Sequence, residues 1–346
     1  DRQGNLWLCL DDGVAHIALN SPFSRINTEG ALLTMQVLDN QIYLGTTQGI
    51  FNANWGVSSN ALKGKSTFNL MPNTQEQAWR FLTTDNGFLA AHVRGVFHIN
   101  GQTATKITDD YTWTLAQMPN QPNLVIGGTS NQGLILLEKD ASGNWHKKHH
   151  IKGFEESSRY VAIEQEKHIW VSDPLRGVFR LTLSEDLKKV EKTENFGITE
   201  GLPSQTYNFV YRISDEILFA TEQGVFRFDE GIGSFRKHEN FMQIPKARKL
   251  SEGLNGQIWC WTGERVALLN KDKEGNYNPD YKRFDKLSGM DIYNIFALDS
   301  QNVFFGTPNG LLQYNPSFFA QSEENTNFQV HFRKVSALDN DSVFFA

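Results

Sequence analysis

One short phrase recurs along this chain. It is an apolar-x-apolar run, two to four small or polar residues, a glycine, then apolar residues again. The copies are LWLCLDDGVAHI (Leu6 to Ile17), IYLGTTQGIF (Ile42 to Phe51), FLAAHVRGVFHI (Phe88 to Ile99), LVIGGTSNQGLILL (Leu124 to Leu137), IWVSDPLRGVFRL (Ile169 to Leu181), ILFATEQGVFRF (Ile217 to Phe228), IWCWTGERVALL (Ile258 to Leu269) and VFFGTPNGLLQY (Val303 to Tyr314). The glycines are Gly13, Gly49, Gly95, Gly133, Gly177, Gly224 and Gly310, and Arg265 stands at that place in the seventh copy. Successive spacings lie between 36 and 47 residues. Self-similarity at about 40–45 residues, built from short strands, is the period of a β-propeller blade.

Each repeat divides into four short strands. In the sixth copy, Tyr207 to Ile213 alternates and reads as the inner strand, and Glu216 to Asp229 reads as a hairpin turning at Gln223-Gly224. Glycine there suits the positive φ that tight hairpin turns require. Ser234 to Asn240 reads as a charged outer strand, since charge on an exposed edge blocks edge-to-edge pairing. Other expected outer strands are Ser66 to Met71, Ala104 to Thr108, His146 to Ile151 and Tyr281 to Lys286. Ser184 to Val190 reads as one turn or an exposed strand, and helical periodicity is not sustained anywhere.

The first copy has a hairpin but no preceding inner strand, while seven copies are complete or nearly so. The fold class is therefore all-β, a seven-bladed propeller of four-stranded antiparallel blades over residues 28–320, with an eight-bladed ring as the alternative. Residues 1–27 read as closing strands or the remnant of a preceding blade. Residues 327–346 depart from the repeat and read as the first strand of a truncated β-sandwich. The opening Asp1-Arg2-Gln3-Gly4 falls inside the motif, so the sequence reads as a piece of a longer chain.

Composition narrows the function. Net charge is 33 − 39 = −6, which argues against the basic face that nucleic-acid binding needs. No apolar run approaches the ~18–20 residues of a membrane-spanning helix, and no signal peptide opens the chain. Cys9 and Cys260 sit in apolar strand positions and read as buried thiols, with a disulfide between them possible but not indicated. No P-loop, Gly-x-Ser-x-Gly elbow or His-Glu-x-x-His motif is present, and no cofactor is indicated.

The copies resemble the two-component regulator propeller repeat. The opening DRQGNLWLCLDDGVAHIALNSPF is similar to that repeat's D-x-x-G-N-L-W-L-G-L-D-x-G signature, with Cys9 where glycine is usual. GITEGLPSQTYNFVYRISDEILFATEQGVFRFD (Gly197 to Asp229) resembles its G-L-P connector followed by a repeat, and the tail from Phe328 resembles the start of the β-sandwich that follows such propellers. Arg265 and the longer Ser172-Asp173-Pro174-Leu175 turn depart from the pattern. The resemblance implies a periplasmic sensor ectodomain of an inner-membrane regulator. Its output would be a Bacteroides-type hybrid two-component system or a helix-turn-helix regulator, responding to oligosaccharides from polysaccharide breakdown. It also implies a second propeller, a β-sandwich and a membrane span in other segments, with any kinase activity there rather than here. A homodimer is a further partner it allows.

In a propeller the inner strands line a central channel, and the loops entering them ring one mouth. Counting back about ten residues from each hairpin gives Leu32, Trp79, Trp113, Tyr160, Tyr207, Arg248 and Tyr293 as the inner-strand starts. Sequence neighbours include Arg80, Arg159, Asn208, Lys249 and Asn294. Aromatic planes beside polar donors suit a sugar, whose faces stack and whose hydroxyls need matched partners. The candidate ligand set is Trp79, Arg80, Trp113, Arg159, Tyr160, Tyr207, Asn208, Arg248, Tyr293 and Asn294. The competing explanation is that these rings only fill space between blades; it requires all five to have no exposed face.

His146, His149 and His150 invite a metal reading, but adjacent strand residues point to opposite faces, so a basic edge strand is the simpler account. Asp11-Asp12, Asp109-Asp110 and Ser172-Asp173 fall in turns, where Asp caps backbone N–H groups. Propellers also host glycosidases and lyases. A glycosidase needs two carboxylates ~5–10 Å apart. Glu76, Asp110, Glu155, Glu156 and Asp291 lie near the expected mouth and leave such a pair open. The readings are therefore sensor, interaction or dimerisation module without a small ligand, and enzyme, in that order.

Overall fold

A computed structural model describes residues 6–17, 21–55, 68–165, 167–316, 335–336 and 343–345. Residues 23–314 form one compact unit of seven four-stranded antiparallel sheets, almost entirely β. The inner strands are Leu32–Leu38, Ala78–Thr84, Thr112–Gln117, Tyr160–Gln165, Phe209–Ile213, Lys249–Glu252 and Asn294–Asp299. They begin blades 1 to 7 in chain order. Blade 7 takes its outer strand from the other end of the unit: Phe23–Ile26 pairs with Gly310–Tyr314, Phe23 opposite Tyr314. That pairing locks the ring without an eighth blade.

The core is partitioned by strand alternation. Successive side chains on a strand point to opposite faces, so the second strand of each blade feeds two interfaces at once. In blade 2, Phe88 and Ala90 pack against Tyr43 and Ile50 of blade 1, while Leu89 and Ala91 pack against Leu115 and Val125 of blade 3. The same split recurs at Ile42-Tyr43-Leu44, Leu124-Val125-Ile126, Ile169-Trp170-Val171, Leu218-Phe219-Ala220, Ile258-Trp259-Cys260 and Val303-Phe304-Phe305. The described residues thus form seven buried clusters, one between each pair of neighbouring blades. The last joins Ile26, Phe304 and Leu311 of blade 7 to Leu32 and Ile42 of blade 1.

The repeated glycine does what its position requires. Gly95 has φ +122°, and a Cβ there would lie 1.7 Å from the Thr108 carbonyl oxygen. A partner that the glycine pattern does not reveal precedes it. Thr46, Thr129, Thr221 and Thr307 end the second strand of their blades, and Thr262 directly follows that of blade 6. Each hydroxyl donates to the carbonyl of the residue that begins the third strand or stands just before it, and accepts an amide from within the turn. His92 and Asp173 replace it in blades 2 and 4, accepting from the Arg94 and Leu175 amides. In blade 6, where Arg265 stands for the glycine, Gly263 takes the left-handed conformation at φ +98°.

Several expectations need correction. Tyr281 to Lys286 is no strand. Lys282–Leu287 is a 3-10 helix whose Phe284 and Leu287 are buried, and Tyr277–Asp280 is blade 6's outer strand. The expected strand at Ser234 to Asn240 stops at Lys237, and a 3-10 turn follows at Glu239–Phe241. The outer strand of blade 1 is Asn69–Gln75 rather than Ser66 to Met71, of which Ser66 and Thr67 lie outside the described residues. Cys9 is exposed, because its hairpin (Leu6–Leu10 with Gly13–Ile17) pairs only with itself. Cys260 is buried as expected, and both thiols are free.

Residues 1–22 and 315–346 form a separate unit. Its described parts are the Leu6–Ile17 hairpin and an antiparallel pair, Val335–Ser336 with Val343–Phe345. Most of the expected sandwich strand at 327–346 lies outside the described residues.

Candidate functional site

The inner strands bring seven separate chain segments to one end of the channel. A cavity of about 640 Å³ opens there. Nine of the ten sequence-named residues line it: Trp79, Arg80, Trp113, Arg159, Tyr160, Tyr207, Arg248, Tyr293 and Asn294. The tenth does not. Asn208 is buried at 1% exposure, and its side-chain amide donates to the Ser204 carbonyl at 2.8 Å. Lys249, Trp261, Ile292 and the loop residues Pro174 and Leu175 join the lining.

All five aromatic rings keep exposed surface. Tyr207 and Tyr293 are 42% and 38% exposed, and Trp79, Trp113 and Tyr160 are half-buried. Trp79 and Trp113 come from neighbouring blades and pack with ring centroids 4.7 Å apart. The Arg159 guanidinium sits over both, 4.8 Å from the Trp113 centroid and 5.9 Å from that of Trp79. Arg248 lies over Tyr207 at 5.5 Å. Such stacked cation–π pairs hold both partners in place. Tyr207 itself has φ +59°, and its amide donates to the Pro174 carbonyl at 2.8 Å. Left-handed backbone is uncommon for a bulky residue and is held here by the rest of the loop.

The charges are uneven. Among the described residues four cations line the cavity, Arg80, Arg159, Arg248 and Lys249, and no Asp or Glu does. Arg248 is neutralised outside it, donating to Glu222 at 2.8 and 3.0 Å. Burial opposes the Glu222 charge, but Lys246 and Arg248 outweigh it and hold the carboxyl below its ordinary range. Burial, with Arg80 and Arg159 nearby, lowers the Lys249 ammonium from 10.5 to about 8. A second cavity of about 710 Å³ follows further along the channel, and Arg80, Thr114, Tyr160, Lys249 and Asn294 line both.

The carboxylates left open as a catalytic pair do not enter the mouth cavity. Asp110 pairs with Lys147 at 2.9 Å and His150 at 3.1 Å. Glu156 pairs with Arg176, Glu76 lines a different cleft, and Glu155 and Asp291 are exposed elsewhere. The three histidines of the basic strand diverge: His146 faces Glu138, His150 faces Asp110, and the His149 ring contacts the His150 carbonyl. Asp173 caps the Leu175 amide, as a turn aspartate should.

No protein-family model matches the sequence, and no curated protein does. Solved structures do. The extracellular domain assigned to the hybrid two-component system BT3049 of B. thetaiotaomicron is similar over 99% of this chain, with TM-score 0.65 and 17% identity. That assigned to the one-component system BT4673 of the same organism is similar over 84%, with TM-score 0.58 and 15% identity. The chain spans only 48% and 40% of those two structures. Virginiamycin B lyase of Staphylococcus aureus is similar over 85% of this chain and 98% of its own length, with TM-score 0.57 and 12% identity. No helix among the described residues is long and apolar enough to cross a membrane. The seven-bladed propeller fold is thus shared with extracellular domains of signalling systems from B. thetaiotaomicron.

Proposed function

We propose that this chain is the ligand-sensing part of a membrane-bound signalling regulator, working in the periplasm, with an oligosaccharide bound at the channel mouth. The observation that carries the reading is the convergence of five partly exposed aromatic rings with Arg80, Arg159, Lys249 and Asn294 around one cavity. Sugar faces pack on such rings, and the polar groups fix their hydroxyls. The fold shared with two extracellular signalling domains supports the placement outside the cytoplasm. A second propeller and a β-sandwich of the same protein are its proposed neighbours, and a ligand wedged between propellers would couple binding to their relative angle.

Turnover is disfavoured by what lines the cavity. Glycoside hydrolysis by the usual route needs two carboxylates, and none lines this cavity among the described residues. The lyase neighbour is inactive as a histidine-to-alanine variant, and no histidine lines this cavity. The test is a thermal-shift screen against oligosaccharides from plant, host and fungal polysaccharides. One glycan class is expected to raise the Tm, and Trp79→Ala/Tyr207→Ala is expected to abolish the shift. No shift with any glycan, or catalytic product formation, overturns the proposal.

A further inference from the structure

The cations at the channel mouth are more than a sugar's hydroxyls require. Arg80, Arg159 and Lys249 come from three different blades, and none has a carboxylate within ion-pair distance among the described residues. Exposed Arg94, Lys152 and Lys271 also have none among the described residues, but they stand apart on the outer surface, and many other cations are paired. Arg180 is paired to Glu164 and Glu230, Arg212 to Asp215, Arg236 to Asp229, and Lys147 to Asp110. Even Arg248, on the same rim, has Glu222. The chain as a whole is acidic, at −6. Unpaired cations gathered in one concavity of an acidic protein focus positive potential there.

We infer that the ligand is anionic: a sugar acid or a sulfated sugar whose negative group seats among Arg80, Arg159 and Lys249, with a ring on the Trp79–Trp113 wall. The inference rests on the channel mouth being the binding site. Arg159 is held over the two indoles, so its guanidinium is positioned before any ligand arrives. Arginine presents a planar fork that fits carboxylate or sulfate oxygens, and lysine adds a point charge. Lys249 carries the electrostatic cost of the arrangement. It is half-buried between two arginines, and its ammonium is easier to deprotonate than an ordinary one. The phenols that line the further cavity with it, Tyr160 and Tyr211, are kept neutral by burial and supply no counter-charge. Glu222 is held by Lys246 and Arg248, Asp173 by its own turn, and Glu252, which lines the further cavity with Lys249, accepts from the Ser214 amide. An incoming anion supplies the missing charge.

The test titrates the full chain with paired probes at constant ionic strength, read by calorimetry and by indole fluorescence. One pair is an oligogalacturonide and its methyl ester, and the other is a sulfated disaccharide and its desulfated twin. Inorganic sulfate is the fifth probe. An acidic member is expected to bind at least tenfold tighter than its neutral twin. Lys249→Met and Arg159→Gln are expected to weaken it roughly tenfold to a hundredfold, the range for a lost charge-assisted hydrogen bond. Binding at pH 8 should also take up a fraction of a proton, seen as a buffer-dependent heat that Lys249→Met removes. Which pair responds separates carboxylate from sulfate. Equal binding of acidic and neutral twins overturns the inference and leaves carbohydrate sensing standing. Saturable sulfate binding with no sugar response keeps the anion site and removes the oligosaccharide reading. No saturable response to any anion overturns the inference, and native unfolding curves for both variants exclude misfolding as the cause.

Discussion

The Arg159 guanidinium lies 4.8 Å above the Trp113 ring, on the open side of an indole that Trp79 and Tyr111 flank at 4.7 and 4.5 Å. The stack is exposed to the cavity, unlike the tryptophans between blades. Trp259 is 3% exposed and packs edge-on against Phe284 and Phe305. The two residues should therefore fail differently. Trp113→Ala is expected to cost about 1–2 kcal/mol of stability and most of the ligand affinity. Trp259→Ala is expected to cost about 3–5 kcal/mol, because it opens a cavity in a closed interface. Urea unfolding of both variants, with ligand titration of whichever remains folded, checks the contrast. Equal destabilisation would mean that Trp113 is an interface residue too.

His92 fills the place that threonine takes in five blades, and it gives the ring a pH-sensitive joint. Its Nδ1 accepts the Arg94 amide at 2.9 Å, so the ring must be neutral there, and Nε2 lies 3.3 Å from the Thr74 carbonyl. Burial lowers its pKa below 6.5. The unfolded chain takes up a proton as pH falls below about 6.5 while the folded chain resists, so stability present above that pH is lost on acidification. His98 shifts in the same direction and contributes to the loss. His92→Thr should keep the turn, since Thr46 and Thr221 make equivalent bonds. The difference between His92→Thr and the parent should grow as pH drops from 7.5 to 5.5. Parallel urea midpoints across that range would show that His92 is not a joint.

Much of this fold is legible in the sequence because each local rule repeats. The repeated glycine marks six of the seven blade hairpins, and alternation before it marks a strand buried on both sides. The mouth was legible for the same reason: a fixed offset from the hairpin finds Trp79, Trp113 and Tyr160 within two positions of their strand starts. What could not be read is what depends on several blades at once. Asn208 has the right position and the wrong direction, because the Ser204 carbonyl captures its amide. Tyr281 to Lys286 has strand-like alternation, but Phe284 and Leu287 find a better burial as a 3-10 turn over the blade 6–7 interface. The lack of carboxylates in the cavity is a property of seven segments together, and no single repeat announces it.

Tyr207 tests whether the strained loop serves the cavity. Its φ of +59° is unfavourable for a tyrosine and acceptable for asparagine, which visits the left-handed region readily. The ring is 42% exposed, so little packing is lost with it. Tyr207→Asn is therefore expected to hold or raise the Tm, while weakening ligand binding by removing the ring beneath Arg248. Tyr160→Asn, whose ring packs against Phe209 and Tyr211, should lower the Tm instead. A Tyr207→Asn protein with lower Tm and undiminished affinity would make Tyr207 a structural residue.

Lys249 is held at the channel mouth at a cost to the fold. Folding moves its pKa from 10.5 down to about 8, so the charged form is less at home in the fold than in water. That difference corresponds to roughly 3 kcal/mol of stability withheld near neutral pH. Between pH 8 and 10.5 the unfolded chain still binds the proton that the folded chain has released, so this contribution to stability rises with pH through that window. Lys249→Met keeps an unbranched side chain one atom shorter and removes the charge. It is expected to be more stable than the parent at pH 7, with the advantage shrinking as pH approaches 10. Other lysines and tyrosines titrate over the same range in both proteins, so the quantity to follow is the difference in Tm between them, measured without ligand. A variant less stable than the parent at pH 7 would mean that Lys249 already has an anionic partner, and the positive mouth would then be balanced from within.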